Sequence, residues 1–217
     1  RLPPTRLPPA RLPPTRLHPT LGGPAPDDPL VSQSDYLTNQ LLIAMPAMGD
    51  PNFAQTVALI CDHGPRGALG LILNKPLQMR MNEIFEQLEI ELPGGPLRER
   101  PVLRGGPMQT DRGFVVHRAG GEWDSTLKVS DTIHVTTSRD ILAAMARGEG
   151  PMEAVVALGY AGWDGGQLED EIKANAWLSA PADCGLIFDL PFESRWLAAG
   201  RLLGVELSRI SPISGNA

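Results

Sequence analysis

Residues Val155 to Leu178 read Val-Val-Ala-Leu-Gly-Tyr-Ala-Gly-Trp-Asp-Gly-Gly-Gln-Leu-Glu-Asp-Glu-Ile-Lys-Ala-Asn-Ala-Trp-Leu. Val155, Val156, Ala157 and Leu158 form a continuous apolar run, the pattern of a strand covered on both faces. Gly159, Gly162, Gly165 and Gly166 follow. Glycine permits positive φ and close backbone approach, so a glycine-rich turn is expected here. After Gly166 the apolar spacing becomes helical: Leu168 and Ile172 are four apart, and Asn175 and Ala176 continue that face. Glu169, Asp170 and Glu171 fall in the first turn, where the positive end of the helix dipole favours carboxylates.

A strand, a glycine loop and a helix start are also the layout of a phosphate site. The residues argue against that use. The turn holds no Lys-Ser or Lys-Thr, and three carboxylates at the helix start repel an anion. The glycines therefore read as close packing of helix on sheet. Trp163 stands between two glycine pairs, and a large ring there either packs or covers a groove. Both readings of Trp163 stand.

Working outward, Leu41–Met45, Thr56–Cys61 and Ala68–Leu73 read as strands, with Asp62–Gly67 able to close a hairpin between the last two. Asn74-Lys75-Pro76 ends the third strand. Asn82 is positioned to cap a short helix through Leu88 that buries Ile84, Phe85 and Leu88, and Glu91–Arg100 is a Pro/Gly-rich loop. Val102-Leu103, Phe114–His117 and Lys128–Thr136 are further strands. Ser138 caps a helix carrying Ile141, Leu142 and Met145, which Gly148 stops. Gly185–Phe188 reads as a strand, and Pro191 opens a last helix with Phe192, Trp196, Leu197 and Leu203, ending at Gly204. Strands first, then strands alternating with helices, predict an α+β fold: a single compact domain with a mixed β-sheet and packed helices.

The chain has 217 residues, 42% of them hydrophobic and 5% aromatic, enough for one domain with a substantial core. Residues 1–20 are four five-residue units of the type Arg-Leu-Pro-Pro-Thr. Proline at this density forbids helix and ladder alike, so residues 1–30 are predicted to be a disordered Pro/Arg-rich extension and residues 31–217 the folded domain. Arg1, Arg6, Arg11 and Arg16 against Asp27 and Asp28 give that extension +2, which leaves −8 for the rest of a chain whose net charge is −6. An acidic body is poorly suited to gripping a phosphate backbone. No apolar run approaches the ~20 residues needed to cross a bilayer, so no membrane role is expected. Cys61 and Cys184 give neither a disulfide framework nor ligand spacing, which fits a reducing, cytoplasmic setting.

Leu41-Leu42-Ile43-Ala44-Met45-Pro46-Ala47-Met48-Gly49-Asp50-Pro51 closely resembles the opening motif of the AlgH/YqgE family. Gly67-Ala68-Leu69-Gly70-Leu71 with Asn74-Lys75-Pro76 is similar to its second. Arg104-Gly105-Gly106-Pro107, Arg112-Gly113-Phe114, Thr136-Thr137-Ser138-Arg139-Asp140, Leu158-Gly159-Tyr160-Ala161-Gly162-Trp163, Gly166-Gln167-Leu168-Glu169, Asn175-Ala176-Trp177-Leu178 and Arg195-Trp196 match in order. The resemblance runs from about Leu37 to the C-terminus and leaves the proline-rich repeats outside. The family usually ends in Gly-His-Ala, where this chain has Gly215-Asn216-Ala217. The resemblance implies a bacterial cytosolic protein with a compact α+β fold. Some members are labelled transcriptional regulators; the family supplies no agreed activity and no catalytic residues to transfer.

Cys61 and His63 are two apart at a strand end, but a nucleophile needs a base in reach and a third orienting group, and Cys61 after Leu59-Ile60 reads as a small buried residue. His18, His117 and His134 are scattered, in no metal-binding spacing, so neither metal nor cofactor is expected. Thr137-Ser138-Arg139, at a helix start, combines amides, hydroxyls and a guanidinium suited to an anion, although capping also explains Ser138. Asn74-Lys75 and Arg104-Gly105-Gly106 follow strands, where such folds place binding groups. These segments and Trp163 are the candidate ligand-binding residues, expected to line one cleft. The favoured function is a non-enzymatic protein binding a small-molecule or protein partner. A DNA-contacting regulator and a hydrolase or transferase using Cys61 and His63 are the alternatives.

Overall fold

The computed structural model describes residues 36–210; the proline-rich repeats and the Gly215-Asn216-Ala217 end lie outside them. β1 (Gln40–Ala44), β2 (Val57–Gly64) and β3 (Gly67–Ile72) form an antiparallel meander. β4 (Pro76–Arg80) leads into helix α1 (Met81–Gln87), and β5 (Pro101–Arg104) returns beside β4. β6 (Met108–Arg118) is followed by the short pair β7 (Thr126–Lys128) and β8 (Ile133–Thr136), then by helix α2 (Arg139–Ala146). β9 (Ala154–Asp164), helix α3 (Gln167–Lys173), β10 (Trp177–Pro181) and helix α4 (Arg195–Leu202) complete the fold.

Among the described residues the strands make one curled sheet in the order β10-β1-β2-β3-β9-β6-β8-β7, with β4 and β5 branching from β9. All pairings are antiparallel except β5 with β9, where Leu103 faces Ala157. The sheet is mixed, and β9 is its centre. The first half of β9 pairs with β5 and β6 (Val115 opposite Val156), and its second half pairs with β3 (Leu69 opposite Gly162). Val155–Leu158 lacks the alternation of a half-exposed strand because both faces are covered: Val156 packs toward α1 and α2, while Val155 and Ala157 pack toward Phe188 and Phe192.

The alternation of β1 sends its side chains to two cores. Leu41 and Ile43 pack with Leu59, Leu71, Phe114, Val116 and the α4 residues Trp196 and Ala199. Leu42 and Ala44 pack with Ile60, Ile72, Trp163, Trp177 and the α3 residue Leu168. A third cluster holds α1 and α2 against the sheet through Ile84, Phe85, Val102, Ile141 and Met145. The Trp196 indole N–H donates to the Ala44 carbonyl at 2.8 Å, so its polar atom is satisfied while its rings are buried.

The α+β class and most element positions agree with the sequence reading; seven local expectations are corrected, two of them at helix starts: Arg80, not Asn82, caps α1, and α4 begins at Arg195 after a 3-10 turn over Phe192–Ser194, not at Pro191. Gly159 and Gly162 lie within β9, not in a turn, and the turn is confined to Gly165 and Gly166. Gly159 takes φ +74°, and a Cβ there would stand 2.7 Å from the Gly106 carbonyl oxygen. It is the bend where β9 passes from one set of partners to the other. α3 stops at Lys173; Asn175 has φ +58°, and Trp177 starts β10 antiparallel to β1. Helical periodicity runs on past the true helix end, through Asn175 and Ala176, because the next strand begins on an apolar residue in phase. Gly185–Asp189 is a single π-helical turn, not a strand. The expected strand over Lys128–Thr136 is the hairpin of β7 and β8, and Pro76 opens β4 instead of ending the preceding strand.

Candidate functional site

Asn74 and Lys75 form the corner between β3 and β4. The Asn74 amide is buried; its Oδ1 accepts the Val57 N–H at 2.9 Å and its Nδ2 donates to the Gln55 carbonyl at 2.8 Å. The side chain thus secures the start of β2. Lys75 is half-buried, burial holds its ammonium below the ordinary lysine pKa, and its carbonyl accepts the Arg104 N–H at 2.8 Å. The Arg104 guanidinium reaches Asn52 Oδ1 at 2.5 Å. Gly105 and Gly106 lie against the bend of β9: a Cβ on Gly106 would stand 2.0 Å from the Tyr160 carbonyl carbon, and one on Gly105 2.3 Å from the Gly159 carbonyl oxygen. Both glycines are required by close backbone approach.

Trp163 is 6% exposed and belongs to an aromatic cluster with Phe53 (6.2 Å between centroids) and Trp177 (6.1 Å). Its indole N–H and that of Trp177 both donate to Glu171 Oε2, at 3.0 and 2.8 Å. The loop from Met45 to Thr56 therefore touches Arg104 through Asn52 and the tryptophans through Phe53. Asn74 meets the same loop through the Gln55 carbonyl, while Lys75 is bonded to Arg104, and Gly105 and Gly106 pack on β9 beside it.

Thr137, Ser138 and Arg139 stand elsewhere. The Ser138 hydroxyl lies against the Asp124 carbonyl and 2.5 Å from Asp140 Oδ1, and the Arg139 guanidinium donates to the Leu88 carbonyl at the end of α1. The Asp140 carboxylate accepts the N–H groups of Asp124 and Ile141, each at 2.8 Å. Burial pushes that carboxyl pKa up, but hydrogen bonds from Ser138, Asp124 and Ile141 outweigh it and hold the group below its ordinary value. A carboxylate of the chain itself already occupies the start of α2.

Cys61 and His63 face opposite ways. Ile60 pairs with Gly70 and Asp62 with Leu69, so Cys61 is the extra residue of a β-bulge, and a bulge reverses the inside–outside parity of the residues beyond it. Cys61 points into the core around Leu41 and Leu59, where burial, with Asp62 adding to it, raises its thiol pKa far above the ordinary value. His63 turns toward α3: its Nδ1 accepts the Leu37 N–H at 2.9 Å, and its Nε2 lies 3.1 Å from Glu169 Oε1. With Nδ1 taken by an amide, the ring carries its proton on Nε2, facing Glu169, and braces α3. His117 is also internal: Nδ1 donates to the Arg118 carbonyl at 2.7 Å, and Nε2 contacts Thr136 Oγ1 at 2.9 Å. Among the described residues no three His, Cys, Asp or Glu side chains are arranged to hold a metal.

A cavity of about 300 Å³ opens on the side of the sheet where β5 and β9 run parallel, lined by Met81, Met145, Val155, Phe188, Phe192 and Arg195 among others. Arg195, the first residue of α4, is 2% exposed. Its Nε donates to the Leu190 carbonyl at 3.1 Å, its Nη1 donates to the Leu73 carbonyl at 2.6 Å, and the Phe192 ring lies 4.3 Å from the guanidinium carbon. Among the described residues no carboxylate comes within ion-pair distance of it. Burial lowers its pKa to about 10, opposed by the nearby charge of Glu193, so the group stays cationic at neutral pH. In the sequence this arginine stands out only as part of a family motif. The available signal was its position, three residues after Phe192 and four before Ala199, a charge on the buried face of the last helix.

The AlgH-like family profile matches residues 41–208. A UPF0301 protein of Azoarcus sp. (strain BH72) is 52% identical over 184 residues, covering 85% of this chain and 98% of the relative. One from Thioalkalivibrio sulfidiphilus is 51% identical over 187 residues, covering 86% of this chain and 100% of the relative. Among solved structures, the solution structure of the AlgH protein from Pseudomonas aeruginosa superposes with a TM-score of 0.70 at 46% identity, covering 86% of this chain and 99% of that one. The crystal structure of a Corynebacterium diphtheriae protein, 22% identical with a TM-score of 0.63 over 79% of this chain and 89% of its own, shares the fold.

Proposed function

The chain belongs to the AlgH-like family, and from that premise we propose that it acts by binding rather than by catalysis, with the cavity floored by Arg195 as its ligand site. The observation that carries this reading is a cationic guanidinium, 2% exposed, lining a cavity without a carboxylate partner. A buried charge is costly unless it is paired, and two backbone carbonyls meet only part of what five N–H donors can use. Asn74 serves the site at one remove. It holds the corner beside Leu73, whose carbonyl orients Arg195. Arg104, Lys75, Gly105 and Gly106 brace the adjoining bend of β9, and Trp163 closes the core behind α3.

The other two readings draw less support. Cys61 and His63 lie on opposite faces of a bulged strand, which leaves the thiol without a base. A body carrying −8 beyond the extension opposes DNA. No described helix is long and apolar enough to cross a membrane, and the two free cysteines support a role in a reducing cytoplasm. The test is native mass spectrometry of the full chain purified from its own cells, beside Arg195→Gln. A small molecule that co-purifies with the wild type and is lost in the variant is the expected result. A wild type that carries nothing, and whose melting temperature no metabolite library moves, would sink the proposal.

A further inference from the structure

We propose that the Arg195 cavity binds the carboxylate of a small, flexible apolar acid, with the carboxylate on the guanidinium and the apolar chain running over a methionine-lined path. The inference rests on the reading of this cavity as the ligand site and adds the chemical class of the ligand.

Arg195 Nε and Nη1 each give one N–H to a backbone carbonyl, and Nη2 donates to no described group. The remaining donors of a planar guanidinium match the two oxygens of a carboxylate. Arg100 also lines the cavity, and the one carboxylate in its wall, Glu153, is already engaged by Arg118 at 2.5 Å. The cavity is therefore positive inside a chain of net charge −6. A phosphate dianion would leave a charged oxygen among Met81, Met145 and Phe188, at a large desolvation cost, so the carboxylate fits better.

A second cavity of about 360 Å³ shares Leu97, Arg100, Met145 and Met152 with the first. Unbranched thioether side chains adapt to flexible apolar partners. Met152, 89% exposed at the junction, has no packing role in the fold, and its exposure fits a side chain that covers a bound chain.

The experiment uses the full chain with labelled methionine methyls, titrated separately with octanoate, 1-octanol and octyl phosphate and followed by NMR and calorimetry. Octanoate is expected to shift Met145 and Met152 and to bind at least about tenfold tighter than octanol. Affinity should rise about fourfold per methylene from hexanoate to octanoate, the effect of burying one CH₂. Arg195→Gln should remove the preference for acid over alcohol while leaving octanol within about threefold. Met152→Glu, at an exposed position, should weaken octanoate more than hexanoate. Octanol binding as tightly as octanoate at the same methyls would overturn the charge assignment and leave the ligand site standing. Octyl phosphate binding tighter than octanoate would overturn the carboxylate. No methyl shift with any of the three would overturn both this inference and the reading beneath it. If Arg195→Gln does not fold, the wild-type ratio of octanoate to octanol decides the matter alone.

Discussion

Replacing Glu171 with alanine should be among the most damaging single changes on a half-exposed side chain of this protein. Glu171 Oε2 accepts the indole N–H of Trp163 at 3.0 Å and of Trp177 at 2.8 Å, while Oε1 accepts from Gln167 Nε2 at 2.9 Å. The two tryptophans are 6% and 2% exposed with Glu171 in place, so each indole N–H depends on this carboxylate for its bond. Each buried donor left without an acceptor costs about 1–3 kcal/mol. The two share one oxygen and do not add fully, so a loss of about 3 kcal/mol is expected. At a urea slope of ~2 kcal/mol per M the unfolding midpoint falls by about 1.5 M. Glu171→Gln keeps an oxygen on the same site and should lose only about 1 kcal/mol, the charge-assisted part of the bonds. Urea unfolding followed by far-UV circular dichroism measures all three. In a background carrying Trp163→Phe and Trp177→Phe, the cost of Glu171→Ala should shrink below about 0.5 kcal/mol. An equal cost in both backgrounds, or a loss under about 0.5 kcal/mol in the wild type, would refute the shared-acceptor reasoning.

Gly106→Ala places a Cβ 2.0 Å from the Tyr160 carbonyl carbon. Both partners are backbone, so the variant should yield little soluble folded protein; a melting temperature within about 2 °C of wild type would count against the packing role. His117 is held neutral, its pKa lowered chiefly by burial and partly offset by the bond to the Arg118 carbonyl. A depressed folded pKa means that the unfolded chain binds the proton first. Stability from this residue is therefore present above the unfolded value and lost as pH falls below about 6.5. His117→Phe should flatten the stability profile between pH 7 and 5 relative to wild type, and unchanged slopes would refute the assignment. Cys61 is buried and Cys184 half-buried. An aromatic disulfide reagent should titrate Cys184 on the native protein within minutes and Cys61 only after denaturation, and prompt reaction of both thiols would show that the core around Leu59 opens readily.

Much of the architecture is written locally. The apolar run Val155–Leu158, the strand at Leu41 and the cap at Ser138 carry patterns that depend on neighbours in sequence, and each forms the element its pattern predicts. The errors fall where a distant partner overrides the local signal. Gly162 looks like a loop residue until β3 arrives to pair with it, and Gly185–Phe188 looks like a strand until no neighbour offers it a ladder. The nine residues proposed from sequence divide in space for the same reason: Asn74, Arg104 and Trp163 meet the loop after β1, Lys75, Gly105 and Gly106 lie beside Arg104 and β9, and Thr137, Ser138 and Arg139 stand among Asp124, Asp140 and Leu88.

By itself the sequence determined the class, the family and the acidity of the body, because hydrophobic period, ordered motifs and summed charge are properties of the chain read in order. Tertiary structure alone decided that Cys61 and His63 part company at a bulge, and that a charge on the last helix ends in a cavity beside Phe188. Burial and pairing belong to groups brought together from far along the chain, as when Arg195 meets the carbonyl of Leu73.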